Sequence, residues 1–387
     1  IFMEIILKEP DKLLIPKTEF LNLFNSSNPF FTEDGAVINN IEIAFQTYGR
    51  LNEEGTNAVI ICHALTGNSH AAGIISNNEL LNSNQYEFLY KYNNMYLDKP
   101  GWWDPLIGPN KVIDTNKYFV VCSNILGSCY GTTGPTSFIN GTNKRFGTTF
   151  PQISIRDMVS VQKKLIDYLG INEIQLITGG SLGGMQVLEW GIMYPDLIKK
   201  IAPIACSVSH SPWAIGFNDA ARTAITSDPL WNNGYYEEQP LYGLSLARKI
   251  AMISYRSFSS FNSKFGRKKN QRSSSQYSIE SYLDYQGEKF INRFDANTYI
   301  YITKALDNHD ITRNRGTVEE ILNSIKADVL SIGIDSDILY PIEEQVFIAE
   351  KTENGKYAEL KSEHGHDSFL IEFDQLEKIF SQFLNEE

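Results

Sequence analysis

The stretch that decides the fold is residues 174–190, which read IQLITGGSLGGMQVLEW. An apolar run at residues 174–178 leads into a glycine-rich turn, and a helical pattern follows at residues 185–193. Gly179, Ser181 and Gly183 form a G-x-S-x-G motif in the strand–turn–helix setting that this motif requires. The glycines remove Cβ atoms that would clash in so sharp a turn, and the hydroxyl lies at a helix N-terminus, which favours developing negative charge. We therefore interpret Ser181 as a nucleophile.

The same glycine-rich turn has a second interpretation. A turn between a strand and a helix can bind a phosphate through its backbone N–H groups. The spacing here matches neither G-x-G-x-x-G nor a P-loop that ends in Lys followed by Ser or Thr. The phosphate-binding alternative is therefore the weaker of the two.

A serine nucleophile needs a base, and the base needs an orienting carboxylate. With the serine on such an elbow, the chain order is Ser, then Asp or Glu, then His. An apolar run at residues 329–334 leads into a loop that holds Asp335 and Asp337. We select Asp337, because Asp335 ends the strand. We select His366 over His364, because it immediately precedes the last helical pattern of the chain.

Two further features of the site are expected from its backbone. The N–H groups of Leu182 and of Leu65, in the loop after residues 57–63, are the candidate oxyanion hole. A plain turn between strand and helix at Leu65 remains an alternative. A metal site at His364 and His366 is disfavoured, since no cysteine or third histidine lies at ligand spacing, and no metal is predicted.

Apolar runs of the kind seen before Ser181 recur along the chain, at residues 57–63, 117–123, 174–178, 201–206, 329–334 and 357–360. Near-continuous apolar strands are typical of a parallel sheet that is buried on both faces. Helical patterns lie between and after these runs, at residues 155–169, 185–193 and 367–384. The fold class is therefore α/β, with a mostly parallel sheet and helices on both faces.

One long stretch interrupts this alternation. Residues 206–316 are rich in Tyr, Ser, Asn and Arg, with helical patches at residues 242–254 and 296–306 and no buried-strand run. We predict one discontinuous catalytic domain, residues 17–205 and 317–387, with residues 206–316 as a helical lid over the site. A basic segment at residues 264–272 lies within this lid.

Composition excludes several classes of function. The 387 residues carry a net charge of −12, which disfavours binding to nucleic acid or to an anionic membrane. None of the four cysteines forms a C-x-x-C pair, so we expect a reduced cytoplasmic protein. The sequence has no run of about 20 apolar residues, so we predict no membrane span. The apolar start lacks a basic segment and is not interpreted as a signal peptide.

Segments along nearly the whole chain resemble one family, the homoserine O-acyltransferases of the α/β-hydrolase fold. They are residues 63–67 (HALTG), 101–104 (GWWD), 131–135 (GTTGP), 180–186 (GSLGGMQ), 280–287 (ESYLDYQG), 293–297 (RFDAN) and 365–370 (GHDSFL). Leu182 stands where the family more often has Met, Asn68 replaces a usual acid and Ser128 a usual glycine. The match is poor over most of residues 266–276.

The resemblance implies a Ser181, Asp337 and His366 triad, with Arg222 binding the carboxylate of homoserine and Asp367 its amino group. It implies a ping-pong transfer of an acetyl group from acetyl-CoA to L-homoserine for methionine biosynthesis, with acetyl-CoA as co-substrate, no bound cofactor, and a homodimer. Without the family, Arg222 would be interpreted as a solvated helix residue.

Four alternatives remain open at this point. Succinyl-CoA as donor or serine as acceptor would use the same scaffold. A serine esterase would hydrolyse the acyl-enzyme, and a binding protein of this fold would not react at all. The basic residues Lys264, Arg267, Lys268, Lys269 and Arg272 either contact the phosphates of CoA or form a solvated loop, which is the commoner fate of a charge run.

Overall fold

The computed structural model describes residues 14–76, 81–270 and 273–386. Its centre is an eight-stranded sheet. In chain order the strands are β1 (Glu19–Phe24), β2 (Ile41–Tyr48), β3 (Ala58–Ile61), β4 (Phe119–Ser123), β5 (Ile174–Gly180), β6 (Lys200–Ile204), β7 (Asp328–Ile334) and β8 (Gly355–Leu360). In space they lie in the order β1-β2-β4-β3-β5-β6-β7-β8. Strand β2 is antiparallel to both neighbours. The other six strands that follow it in space, β4, β3, β5, β6, β7 and β8, are parallel to one another.

Helices connect these strands and cover the sheet. They are α1 (Glu87–Met95), α2 (Ile155–Tyr168), α3 (Leu182–Met193), α4 (Pro212–Thr226), α5 (Leu241–Ser254), α6 (Phe258–Phe265), α7 (Ser278–Ile291), α8 (Ala296–Asp307), α9 (Val318–Leu322), α10 (Ile342–Lys351) and α11 (Phe373–Asn385). Short two-stranded pairings join 30–31 to 37–38, 107–108 to 113–114, and 269–270 to 273–277. Helices α4 to α8 all lie between β6 and β7.

The sheet is buried on both faces, as its apolar strands predict. Along β3, Ile60 belongs to one apolar cluster, while Val59 and Ile61 belong to a second one on the opposite face. The first cluster includes α2 and α3, and the second includes the apolar side of α11. The prediction of a mostly parallel α/β sheet is confirmed. The division into residues 17–205 and 317–387 with a lid at residues 206–316 stays a prediction.

Two local expectations need correction. The apolar runs do not predict β1 and β2. Strand β1 is half-exposed and has no continuous apolar run, and in β2 the polar residues Glu42, Gln46 and Thr47 interrupt the apolar ones. The helix predicted at residues 367–384 is divided: a 3₁₀ turn spans Gly365–Leu370, and α11 begins only at Phe373. The non-helical backbone of Ile371 (φ −133°, ψ −45°) separates the two, so His366 lies in a 3₁₀ turn instead of directly before α11.

The cysteines are core residues. Cys62, Cys122, Cys129 and Cys206 are all buried and all unbonded. Burial raises the pKa of each thiol well above its usual value. Separately, no helix within the described residues is long and apolar enough to cross a membrane.

Candidate active site

Ser181 lies at a strained turn between β5 and α3. Its φ of 60° and ψ of −125° fall where residues other than glycine are rarely found. Such a conformation costs on the order of 1–3 kcal/mol and persists only where the surroundings enforce it. The Ser181 N–H donates to the Ile204 carbonyl at 2.9 Å, which ties the turn to β6. The nucleophile elbow expected from the sequence is therefore present as backbone geometry.

Three glycines permit close packing around this turn. A Cβ at Gly179 or at Gly183 would overlap the carbonyl oxygen of Cys62, at the end of β3. A Cβ at Gly180 would lie 2.6 Å from the ring of Phe369. The glycines thus let the elbow touch both the loop that follows β3 and the turn that carries His366.

His366 and Asp337 form a buried, hydrogen-bonded pair. The Nδ1–H of His366 donates to Asp337 Oδ2 at 2.6 Å. The other oxygen, Oδ1, accepts from the N–H groups of Leu339 at 2.8 Å and Tyr340 at 3.1 Å. These bonds fix the carboxylate, and the carboxylate fixes the imidazole tautomer, so that Nε2 is left free to accept a proton.

The surroundings of His366 shift its protonation. Burial alone would lower its pKa, because it disfavours the charged ring. The charge and hydrogen bond of Asp337, with the charge of Asp367 behind it, outweigh burial. The pKa of His366 is therefore raised above its usual value.

Ser181 lines a narrow cavity of about 20 Å³ near the His366 ring. Tyr255 and Tyr340 line this cavity beside Ser181, and their rings lie 5.6 and 5.2 Å from the His366 ring. Among the described residues, no hydrogen bond joins the Ser181 hydroxyl to His366. In unliganded enzymes such bonds are often long and tighten only when substrate binds.

The loop after β3 is held rigidly beside Ser181, and its Leu65 also lines the cavity. His63 Nδ1–H donates to the Ala64 carbonyl at 2.8 Å, and its Nε2 accepts the Ile125 N–H at 3.1 Å. Burial lowers the pKa of His63 to about 4, so the ring is neutral and both bonds are kept. Leu182, the other predicted donor, is the first residue of α3.

Arg293 approaches this loop from the segment between α7 and α8, and sequence reasoning missed it. Its buried guanidinium donates through Nη1 to the Thr66 carbonyl at 3.1 Å and to the Tyr130 hydroxyl. Thr66 directly follows Leu65, so this contact fixes the peptide next to a predicted oxyanion donor. The one sequence signal for Arg293 is that it begins the RFDAN segment, which belongs to the family resemblance.

Arg222, predicted to bind a carboxylate, already has one. Its Nη2 lies 2.6 Å from Asp307 Oδ2, and Asp307 Oδ1 also accepts from Asn218 at 2.8 Å. Asn218 lines the cavity, whereas Arg222 does not. Arg222 is thus held by an ion pair through Nη2, while its buried Nη1 has no hydrogen-bond partner among the described residues.

Arg248 on α5 is in a different situation. Its guanidinium carbon lies 5.8 Å from the ring centre of Tyr255 and 5.1 Å from that of Phe290. Within the described ranges no carboxylate lies at ion-pair distance from it. Burial raises the pKa of Tyr255 to about 12, and the positive charge of Arg248 opposes this rise. An unpaired cation thus stands beside a tyrosine that lines the cavity.

Asp367, the predicted contact of an amino group, follows His366 directly. Its Oδ2 lies 3.1 Å from Arg256 Nη2, and its N–H points to the Tyr255 carbonyl at 3.4 Å. Asp367 is not among the residues that line the cavity with Ser181. Across the described chain, no group of three or more His, Cys, Asp or Glu side chains is arranged to hold a metal.

Comparisons with known proteins identify the fold and the family. A family model described as alpha/beta hydrolase fold matches residues 57–373. The homoserine O-acetyltransferase of Carboxydothermus hydrogenoformans is 47% identical over 366 residues, which cover 91% of this chain and 92% of that protein. The enzyme of the same name from Chlorobium chlorochromatii is 44% identical over 382 residues, 98% of each chain. The chain belongs to the homoserine O-acetyltransferase family.

Solved structures extend this relationship and add a contrast. The homoserine O-acetyltransferase from Bacillus anthracis superposes with a TM-score of 0.85 at 28% identity, covering 97% of this chain and 99% of that one. Esterase E22 superposes with a TM-score of 0.83 at 26% identity, covering 96% and 100%. One backbone thus carries both transferases and an esterase, so the acyl acceptor depends on side chains instead of on the fold.

Proposed function

We propose that this protein transfers an acetyl group from acetyl-CoA to the hydroxyl of L-homoserine, which gives O-acetyl-L-homoserine for methionine biosynthesis. The observation that carries the proposal is the buried Asp337–His366 pair at the sheet edge where the strained Ser181 opens α3. The identity of the substrates is inferred from the relatives named homoserine O-acetyltransferase, which match over more than nine-tenths of the chain.

The first half-reaction forms an acyl-enzyme. His366 Nε2 removes the proton of Ser181 as its oxygen attacks the thioester carbon. The N–H groups of Leu65 and Leu182 stabilise the oxyanion of the tetrahedral intermediate. The carbon–sulfur bond then breaks, and the thiolate of CoA leaves with the proton from His366, so that acetyl-serine remains.

The second half-reaction returns the enzyme to its starting state. His366 removes the proton of the homoserine hydroxyl, which attacks the acetyl-serine carbonyl. Collapse of the tetrahedral intermediate breaks the bond to Ser181, and the serine oxygen recovers its proton from His366. Water must be excluded, because it would hydrolyse the acyl-enzyme and make the protein an esterase. Helices α4, α5 and α8 cover the narrow cavity and serve this purpose.

Recognition of a zwitterionic acceptor needs one anion and one cation. Asp367 is the proposed contact of the ammonium group. Arg222 and Arg248 are the two candidates for the carboxylate, to which a guanidinium offers a planar fork. Asp307 engages Nη2 of Arg222, but the buried Nη1 has no hydrogen-bond partner among the described residues and is available to a carboxylate. Arg248 has no carboxylate partner in the described residues, so both arginines are tested below.

The deciding experiment measures thiol release from acetyl-CoA and from succinyl-CoA, each with homoserine, with serine or without acceptor. We expect sustained release only with acetyl-CoA and homoserine. Sustained release without acceptor would establish an esterase, and a preference for serine or succinyl-CoA would establish the corresponding alternative. No release under any condition would support a non-catalytic protein.

The remaining parts of the proposal follow from this activity. We assign the protein to the cytoplasm, with acetyl-CoA as co-substrate, no bound cofactor and a homodimeric state. Residues 17–205 and 317–387 form the catalytic domain, and residues 206–316 form the lid.

A further inference from the structure

The charges of this acidic chain are distributed unevenly. The whole protein has 46 acidic and 34 basic residues, yet residues 239–279 contain no acidic residue. The same stretch contains basic residues at eight positions: Arg248, Lys249, Arg256, Lys264, Arg267, Lys268, Lys269 and Arg272. Arg272 lies outside the described residues. Such a concentration of one sign raises the local concentration of ligands of the opposite sign.

Part of this basic stretch borders a second cavity, of about 310 Å³. Its walls include the basic residues Arg256, Lys264 and His364, and the aromatic residues Phe261 and Tyr282. Lys264 Nζ lies 4.9 Å from the ring centre of Tyr282. The cavity thus combines positively charged groups with partly buried aromatic rings.

Several cations of the basic stretch have no ion-pair partner within the protein. Within the described chain, Lys264, Arg267, Lys268 and Lys269 have no carboxylate at ion-pair distance. The hydroxyl of Tyr277, 3.2 Å from Arg267, is a neutral partner.

The acidic residues nearby are mostly engaged. Asp284 pairs with Lys249, and Glu280 accepts the Tyr277 N–H. Glu363, which lines the cavity, is the one carboxylate there without such a partner among the described residues. The unpaired positive charges of this region are therefore Lys264 in the cavity wall and Arg267, Lys268 and Lys269 just after it in the chain, against the single carboxylate of Glu363.

The second cavity lies beside the catalytic turn. Arg256, in its wall, forms the ion pair with Asp367, the residue after His366. A Cβ at Gly365 would lie 2.7 Å from the Ser257 nitrogen, so the turn and the residues after Arg256 are in direct contact. A ligand whose reactive end lies at Ser181 can extend past this turn toward the cations.

We propose that this second cavity, with Lys264 in its wall and Arg267, Lys268 and Lys269 just after it in the chain, binds the phosphate groups of the acyl-thioester donor. This inference rests on the proposed function. The donor carries a diphosphate, a 3′-phosphate and an adenine ring at the end of a long flexible arm. Phosphates match the unpaired Lys264 and Arg267, and an adenine ring can stack on Tyr282. The acetyl end needs none of these groups.

The test compares Lys264→Glu with Lys326→Glu, which makes the same change in net charge at an exposed site in another part of the chain. Each variant is assayed with acetyl-CoA and with S-acetylpantetheine, a donor without nucleotide or phosphate. For Lys264→Glu we expect the KM for acetyl-CoA to rise about tenfold at low salt, and less so in 0.5 M salt, because added ions screen exposed charges. The KM for S-acetylpantetheine, kcat and Tm should change little, and Lys326→Glu should match the wild type.

A second measurement separates this inference from the activity. Binding of adenosine 3′,5′-bisphosphate, followed by calorimetry, should weaken about tenfold in Lys264→Glu, whether or not the protein transfers acetyl groups. Wild-type protein that binds the bisphosphate but transfers from neither donor would overturn the proposed function and leave the phosphate site standing. Equal KM changes for both donors, or unchanged bisphosphate binding, would overturn the phosphate site.

Discussion

The elbow at Ser181 and the helices between β6 and β7 both border the same cavity, but they are built in different ways. At the elbow, glycines and a strained serine follow one another within five residues, so the local sequence dictates the geometry. In the helical segment, Arg222 and Arg248 belong to separate helices, and only a partner far along the chain distinguishes them. The geometry of the nucleophile turn is encoded locally here, whereas recognition of the substrate depends on pairing between residues far apart in the chain.

The largest effect should come from the elbow. Ser181→Ala removes the attacking oxygen, so kcat should fall by about 10⁴-fold or more. Thiol release and mass spectrometry of the acylated protein measure the loss directly. Ser324→Ala is the control and should change kcat less than twofold, because among the described residues the Ser324 hydroxyl bonds only to the Ile321 carbonyl. The mechanism would be refuted if the Ser181→Ala protein were still acetylated and released thiol at the wild-type rate.

The next effect should come from the carboxylate behind the base. Asp337→Asn offers an amide in place of an acceptor oxygen and favours the wrong tautomer of His366, which lowers kcat by about 10³- to 10⁴-fold. Asp335→Asn is the matched control, since within the part of the chain that the structure describes the Asp335 carboxylate accepts only the Ser362 N–H, at 2.9 Å. Its kcat should stay within about fivefold of the wild type. A larger loss at Asp335 than at Asp337 would reverse the assignment.

The two arginines should then separate substrate recognition from stability. If Arg248 binds the carboxylate, Arg248→Met should raise the KM for homoserine about 100-fold through loss of a charge-assisted contact, with little change for acetyl-CoA. Arg222→Met leaves Asp307 half-buried without its cation, so it should lower the free energy of unfolding by about 1–2 kcal/mol. Steady-state kinetics and urea unfolding of both variants measure the two effects. The opposite pattern would assign the carboxylate to Arg222.

A smaller effect should follow when the contact between Arg293 and the loop after β3 is lost. Arg293→Met releases the Thr66 carbonyl, which loosens the adjacent Leu65 N–H and should lower kcat about tenfold. The KM for homoserine should stay constant, and Arg293→Lys should recover part of kcat. Tyr130→Phe removes only the other partner of Arg293, so its kcat should change less than threefold. A loss of Tm with unchanged kcat would show a structural role alone.

The smallest effect should be a displacement of the pH profile. The base must be neutral to accept a proton, so the raised pKa of His366 makes the rate decline begin at a higher pH than an ordinary histidine would give. Asp367→Asn removes one of the charges that raise this pKa, so the acid limb should move to lower pH by about half a unit. The thiol burst without homoserine measures this, because acceptor binding is then not involved. A shift to higher pH would contradict the electrostatic account.

The sequence alone predicts much of the sheet and the nucleophile turn, because both depend on neighbouring residues. It does not predict β1, whose half-exposed side chains lack a continuous apolar run, or the interruption at Ile371. The positions of Arg248 and Arg293 were also beyond it. An arginine in a helical pattern has the same letter whether it faces solvent, an aspartate or a carbonyl group, and only the folded chain supplies the partner.

The burial of all four cysteines has a practical consequence for measurement. The thiolate is the reactive form of cysteine, and raised pKa values together with burial suppress it. A colorimetric thiol reagent mixed with the native protein should therefore report the coenzyme that turnover releases and almost nothing from the polypeptide. In denaturant, the same reagent becomes a reporter of unfolding, with four labelled sites for every chain that opens.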